Sequence, residues 1–177
     1  VPILILGASG EEAVEDLINF DITPSVFTYE FAKALSYEAE RKEKVTKIHI
    51  KIDTGMSRIG FLAGENNEEI VDEIIKISKL PYIEIEGIFS HFATSDEYDK
   101  SYTLLQYGRF MDVCNRLEEK GLNIPIKHIC NSAGIMMYPE MHLDMVRPGV
   151  ILYGMYPSDE VDKSRLDLIP AMTLKST

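Results

Sequence analysis

The chain has 177 residues, 45% of them hydrophobic, enough for one ordinary core without disulfide or metal staples. Lys and Arg total 18 against 29 Asp and Glu, a formal net charge of -11, so the chain repels phosphate backbones and anionic membrane surfaces, and neither nucleic acid nor membrane is expected as a partner. The two cysteines, Cys114 and Cys130, show neither metal-ligand spacing nor a disulfide framework, which points to a reducing, cytoplasmic setting.

Val1-Pro2-Ile3-Leu4-Ile5-Leu6-Gly7 lacks the basic start of a signal peptide, and no apolar run of about 18 residues follows it. It reads as a buried strand, so the chain opens inside a core element and is expected to be an internal piece of something longer. Glu11 to Ile18 follows as a helix with Val14, Leu17 and Ile18 on one face. Ser25-Val26-Phe27 pairs with a helix from about Tyr29 to Glu43. Lys47 to Ile52 alternates like a strand, and Glu68 to Ser78 places Ile70, Ile74 and Ile77 on one helix face. Ile83 to Ser90 and a long helix from about Ser101 to Lys120 form the next unit, the helix stopping at Gly121. Ile126 to Cys130 leads into a short helix, Ala133 to Met137, and a sixth strand is expected from about His142 to Val146. Beyond Gly154 a polar loop runs to Asp167, and residues 171–177 alternate like a further strand.

Strands alternating with helices predict an α/β fold around a parallel sheet. An open doubly wound sheet and an arc of a closed (β/α)8 barrel both accommodate six strands. The absence of G-x-G-x-x-G and G-x-x-x-x-G-K-[ST] favours the barrel.

In either architecture the reactive groups gather at the C-terminal ends of the strands. Those ends carry Lys51 to Arg58, Ser90-His91-Phe92, Asn131-Ser132-Ala133 and Arg147-Pro148-Gly149. Ser132 at a helix entrance is either a donor to a bound anion or a simple N-cap, and Gly149 after the next strand favours the anion, since barrels often bind phosphate after their last two strands. His91 is a base, an orienting group or a core histidine, and a closed arc predicts its contact with Arg147. Lys51 either points into the barrel, where its charge must be paired or chemically altered, or faces solvent at a strand end. Asp53-Thr54-Gly55 is a single motif in an α/β pattern and does not make an aspartic protease. His49, His91, His128 and His142 show no metal-ligand spacing.

Lys51-Ile52-Asp53-Thr54-Gly55-Met56-Ser57-Arg58-Ile59-Gly60-Phe61, Ser90-His91-Phe92-Ala93-Thr94-Ser95-Asp96-Glu97, Asn131-Ser132-Ala133 and Asp144-Met145-Val146-Arg147-Pro148-Gly149-Val150-Ile151-Leu152-Tyr153-Gly154 resemble, in order, blocks of the alanine racemase family. The resemblance spans essentially the whole chain. It implies an isomerase that uses pyridoxal 5'-phosphate to interconvert L- and D-alanine for peptidoglycan precursors, with an N-terminal barrel, a C-terminal β-domain and a homodimeric assembly. On that resemblance residues 1–154 are strands three to eight of the TIM-type barrel, and 155–177 are a linker and the start of the C-terminal domain.

The resemblance also implies roles. Ser132, Gly149 and Val150 match the groups that hold the cofactor phosphate, and Arg147 the arginine that binds the pyridine nitrogen and keeps it unprotonated. His91 matches the histidine bonded to that arginine, Arg58 a residue near the cofactor phenolic oxygen and substrate carboxylate, and Lys51 a lysine that can be carbamylated. Racemisation needs one base on each face of Cα. The family's Schiff-base lysine block and catalytic tyrosine are not found in this chain, so the isolated chain is expected to be inactive. A serine-specific relative, a decarboxylase on the same barrel, and a non-catalytic module binding the cofactor or phosphate are the alternatives.

Overall fold

The computed structural model describes residues 1–173 and 175. In chain order the elements are β1 (Ile3–Leu4), α1 (Val14–Asn19), β2 (Ile22–Thr23), β3 (Ser25–Val26), α2 (Tyr29–Arg41), β4 (Thr46–Asp53), β5 (Phe61–Leu62), α3 (Glu68–Ile77), β6 (Ile83–Phe89), α4 (Ser101–Glu119), β7 (Ile126–His128) and α5 (Ser132–Met137).

All described strand pairs are parallel. β1 pairs β2, β3 pairs β4, and β4-β6-β7 continue the sheet, with β5 beside the end of β4. Residues 22–26 bridge the two sheets: Ile5 N donates to Thr23 O, and His49 N donates to Pro24 O. Pro24 lacks an N–H and interrupts that strand. The result is an arc of a (β/α)8 barrel with helices on its outer side.

The pleat sorts β4 by chemistry. Ile48, Ile50 and Ile52 join the core that also holds Leu35, Val71, Ile74, Phe110 and Leu117 from the helices, whereas His49, Lys51 and Asp53 alternate with them on the opposite, inner face. In α3, Val71, Ile74 and Ile77 are the fully buried positions and Ile70 only packs at the margin. α2 is capped by Thr28, whose hydroxyl accepts from Phe31 N at 3.3 Å.

Two expected strands are corrected. Residues 142–146 form no strand: Asp144 N donates to Lys127 O and Arg147 N to Cys130 O, but these are isolated bonds rather than a ladder, and Leu143, with φ 52°, takes the chain out of extended conformation just before the first of them. The segment nevertheless lies beside β7 where a further barrel strand would run. Residues 171–173 also form no strand, Ala171 N instead bonding Tyr153 O, and residues 174, 176 and 177 of that expected strand lie outside the described residues. The expected Glu11 to Ile18 helix opens as a 3-10 turn, Glu11–Ala13.

Candidate active site

At the C-terminal ends of β4, β6 and β7 the chain gathers its inward-facing polar residues. Register places His49 beside Gly87, Lys51 beside Phe89, and Phe89 beside His128. The β4–β6 register skips at Ile48/His49, leaving Glu86 as the extra residue of a bulge. Gly87 then provides the gap in which the His49 ring sits, since a Cβ there would overlap the imidazole.

Arg147 is the centre of the arrangement. One terminal nitrogen, Nη2, donates to Ser90 O at 2.6 Å and Ile129 O at 3.1 Å, and reaches His91 Nδ1 at 3.4 Å; the other, Nη1, meets His128 Nδ1. Its Nε is buried and has no hydrogen-bond partner among the described residues. The guanidinium carbon lies 5.3 Å from the centre of the Phe89 ring, and Lys51 Nζ lies at the same distance from that ring. His128 stacks on Phe89 with centroids 4.7 Å apart and an interplanar angle of 3°.

A guanidinium only donates, so the tautomers follow from it. His128 Nδ1 must accept, which places the proton on Nε2, and that N–H donates to His49 Nδ1 at 2.9 Å. His49 Nε2–H then faces Glu86 Oε2 at 3.4 Å, and Glu86 Oε1 pairs with Lys47 at 2.6 Å. His91 Nδ1 faces Arg147 Nη2 at 3.4 Å, sharing that group's two hydrogens with Ser90 O and Ile129 O, and so is the unprotonated ring nitrogen, leaving Nε2–H available.

Burial and the neighbouring cations hold these histidines neutral. Burial, then Arg147, Arg58 and Lys51, push His91 down to about 4. Burial, then Arg147, His49 and Lys51, push His128 down to about 2. His49 is lowered chiefly by burial, against the pull of Glu86. Arg147 falls to about 10, mainly through burial. Lys51, 2% exposed, donates to Ile52 O at 2.7 Å, and burial, opposed by Asp53 and assisted by Arg147 and Arg58, brings it down to about 8.

Asn131 caps α5 by accepting from Gly134 N at 2.9 Å and also accepts from Ser95 Oγ at 2.8 Å. Capping therefore falls to Asn131, and the Ser132 hydroxyl instead accepts from Gly149 N at 2.8 Å. Ser132, Gly149 and Val150 line one cleft of about 410 Å³ with His91, Asp96 and Arg147. Arg58 does not join this group by contact: it is exposed on the loop after β4, among the described residues no hydrogen bond ties it to the others, and it acts on Lys51, His91 and Arg147 only through its charge. That loop is folded by Asp53 Oδ1, which accepts from Gly55 N and Ser57 N.

His49 and His128 escape a search for metal spacing, and among the described residues no His, Cys, Asp and Glu group is arranged to hold a metal. The signal available in the sequence was the alternation itself: if Lys51 points inward, so does His49 two residues earlier.

The family described as "Alanine racemase, N-terminal domain" matches residues 1–157. The chain belongs to this family. An alanine racemase of Clostridium tetani is 53% identical over 99% of the chain, and one of Desulforamulus reducens is 49% identical over the same share. The solved alanine racemase of Clostridium difficile 630 in complex with cycloserine superposes with a TM-score of 0.93 at 48% identity over 97% of the chain. The chain spans 45%, 47% and 46% of these three proteins, respectively. Among the alanine racemase barrels it is thus an arc. No helix among the described residues is long and apolar enough to cross a membrane.

Proposed function

We propose that this chain is the cofactor-holding part of an alanine racemase, a pyridoxal 5'-phosphate enzyme that interconverts L- and D-alanine. The observation that carries the reading is Arg147: a guanidinium facing four acceptors, lining the cleft, with a buried Nε that has no partner among the described residues. An orphaned buried donor costs roughly 1–3 kcal/mol, which an acceptor such as a pyridine nitrogen relieves. On this fit Arg147 would hold the ring nitrogen, and the Ser132 hydroxyl, whose own proton stays available while it accepts from Gly149 N, would hold the phosphate with the Val150 amide, the Gly149 N–H turning from Ser132 to join them.

When bound, the cofactor supplies an electron-withdrawing ring that makes the Cα–H bond of an amino acid acidic. The chain's residues act around it. A cation at the ring nitrogen opposes protonation there and so moderates the pull of the ring. His91, neutral at physiological pH, faces Arg147 through Nδ1 and offers Nε2–H to a neighbour. The two bases that exchange the Cα proton match no motif of this chain, so the chain alone is expected to be inactive. Residues 1–154 are read as barrel and 155–177 as linker and start of a β-domain, in a cytoplasmic homodimer that supplies D-alanine for peptidoglycan. The curated relatives' shared name supports the substrate.

Lys51 and Arg58 are assigned a joint role. A lysine brought to about 8 carries a neutral fraction at neutral pH. Its Nζ can then form a bond to carbon dioxide and release a proton, giving a carbamate anion that attracts Arg58 and Arg147 where the ammonium repels them. Isotopically labelled bicarbonate is expected to produce a carbamate resonance in the full-length protein that disappears in Lys51→Gln. Its absence in the parent protein overturns this assignment.

The main test is racemisation by the full-length protein reconstituted with pyridoxal phosphate. D-alanine formation is expected, with Arg147→Lys, which keeps charge but loses the planar fork, lowering kcat by roughly 10²-fold. A loaded protein that binds alanine and returns no D-isomer refutes the reading.

A further inference from the structure

Gln106 is a fully buried polar residue on α4, 0% exposed, and sequence motifs gave no reason to single it out. Its side-chain amide is engaged on three sides. Oε1 accepts from Ala93 N at 2.8 Å, while Nε2 donates to His91 O at 3.0 Å and to Thr54 Oγ1 at 3.2 Å. The orientation of the amide is therefore determined: a flipped group would face an N–H with an NH2 and a carbonyl with an oxygen. Thr54 Oγ1 in turn shares a hydrogen bond of 2.8 Å with Ser90 Oγ, and Arg109 Nη1 donates to Thr54 O at 3.1 Å. Thr54 and Ser90 are also fully buried.

One helix side chain thus grips the ends of β4 and β6 together and holds the peptide groups on either side of Phe92. The same turn carries two groups that meet Arg147, the Ser90 carbonyl and the His91 ring.

We propose that Gln106 is a positioning residue that sets the reach of His91 to Arg147 by clamping His91 O and Ala93 N, with Thr54 and Ser90 completing the clamp. Gln106 does not itself line the cleft; it reaches the cleft only through the backbone of His91, and acts through the turn it holds. The significance of that reach for racemisation rests on the reading of the cleft given above; the clamp itself does not.

The test uses the full-length protein without cofactor, with nitrogen-labelled histidine to follow the His91 ring and amide exchange to follow Ala93. His91 is held low first by burial and then by the charges of Arg147, Arg58 and Lys51, with Asp96 lining the same cleft. In Gln106→Met, which keeps volume and removes all three bonds, the turn relaxes, carrying the His91 ring toward solvent and away from Arg147. The His91 titration is expected to rise by about one unit or more toward the ordinary imidazole range, and Ala93 exchange to quicken by roughly tenfold or more. Gln106→Glu keeps an acceptor for Ala93 N and loses the donors, so Ala93 protection is expected to survive while the His91 resonance shifts. A folded Gln106→Met protein whose His91 titrates as in the parent overturns the proposal. So does a failure of both variants to fold, which makes Gln106 a stability residue only. In the cofactor-loaded protein the Met variant is expected to lose kcat with cofactor affinity within about twofold, as for a misplaced group rather than a lost contact. A parent protein that never binds pyridoxal phosphate refutes the racemase reading and leaves the His91 and Ala93 measurements interpretable.

Discussion

A side chain at Gly87 would overlap the His49 ring, and His49 is itself enclosed by Glu86, Phe89 and His128. The ring has nowhere to retreat, so Gly87→Ala is expected to cost about 1–3 kcal/mol, the usual range for overpacking, and to part His49 from His128. Urea unfolding of the full-length protein measures the first effect, and the histidine ring resonances report the second; parent-like values for both would show that the strand can shift. Alternation along Lys47 to Ile52 puts His49 and Lys51 on one face but leaves open whether that face is inner or solvated; the burial of both side chains settles it. The partner of His49 does not. Whether Glu86 or its neighbour reaches that ring depends on a one-residue bulge between two strands over thirty residues apart, and no local pattern encodes such a register. Gln106 was equally hidden, because a lone amide on a long helix looks like a solvated position until the loop it holds is in place.

Among the elements, α5 shows how a short segment is aimed. With only Ser132–Met137 in helical form, it has little stability of its own and depends on the Asn131 cap and on Ser95, which bonds the same oxygen. Asn131→Ala is expected to lower stability by about 1–2 kcal/mol, and Asn131→Asp to retain most of it, because the acceptor survives. Thermal unfolding of both full-length variants decides this; equal losses would mean that the amide nitrogen, which reaches Phe92 O at 3.4 Å, is what matters. The helices and long strands were readable because each repeats its apolar residues with one period. Residues 142–146 were misread for the opposite reason: they have strand-like composition, but Leu143 takes a left-handed conformation and Asp144 turns its carboxylate onto Lys127 N at 2.9 Å. The pair β2 and β3 was half seen, because Pro24 conceals a strand that crosses from one sheet to the next.

For the whole molecule, the buried histidines make an acid-sensitive core. His91 at about 4, His128 at about 2 and His49 below its ordinary value are all depressed in the folded state. Above the ordinary imidazole pKa, folded and unfolded forms are both neutral and these groups are silent. As pH falls through about 6.5 the unfolded chain binds protons first, so stability is lost progressively until the folded pKa is reached, roughly 3 kcal/mol for His91 alone. The urea midpoint of the full-length protein is expected to decline between about pH 7 and pH 5, and less steeply in His91→Asn. A flat midpoint over that range contradicts the assignment.

The row from Arg147 through His128 and His49 to Glu86 has only one permitted polarity. A guanidinium at one end has nothing to receive with, and a carboxylate at the other has nothing to give, so every imidazole between them points its proton the same way, like an arrow drawn through the barrel wall. Glutamine at position 128 can respect that arrow by turning its oxygen toward Arg147, whereas a lysine at position 49 would set two donors head to head and break the line from its middle.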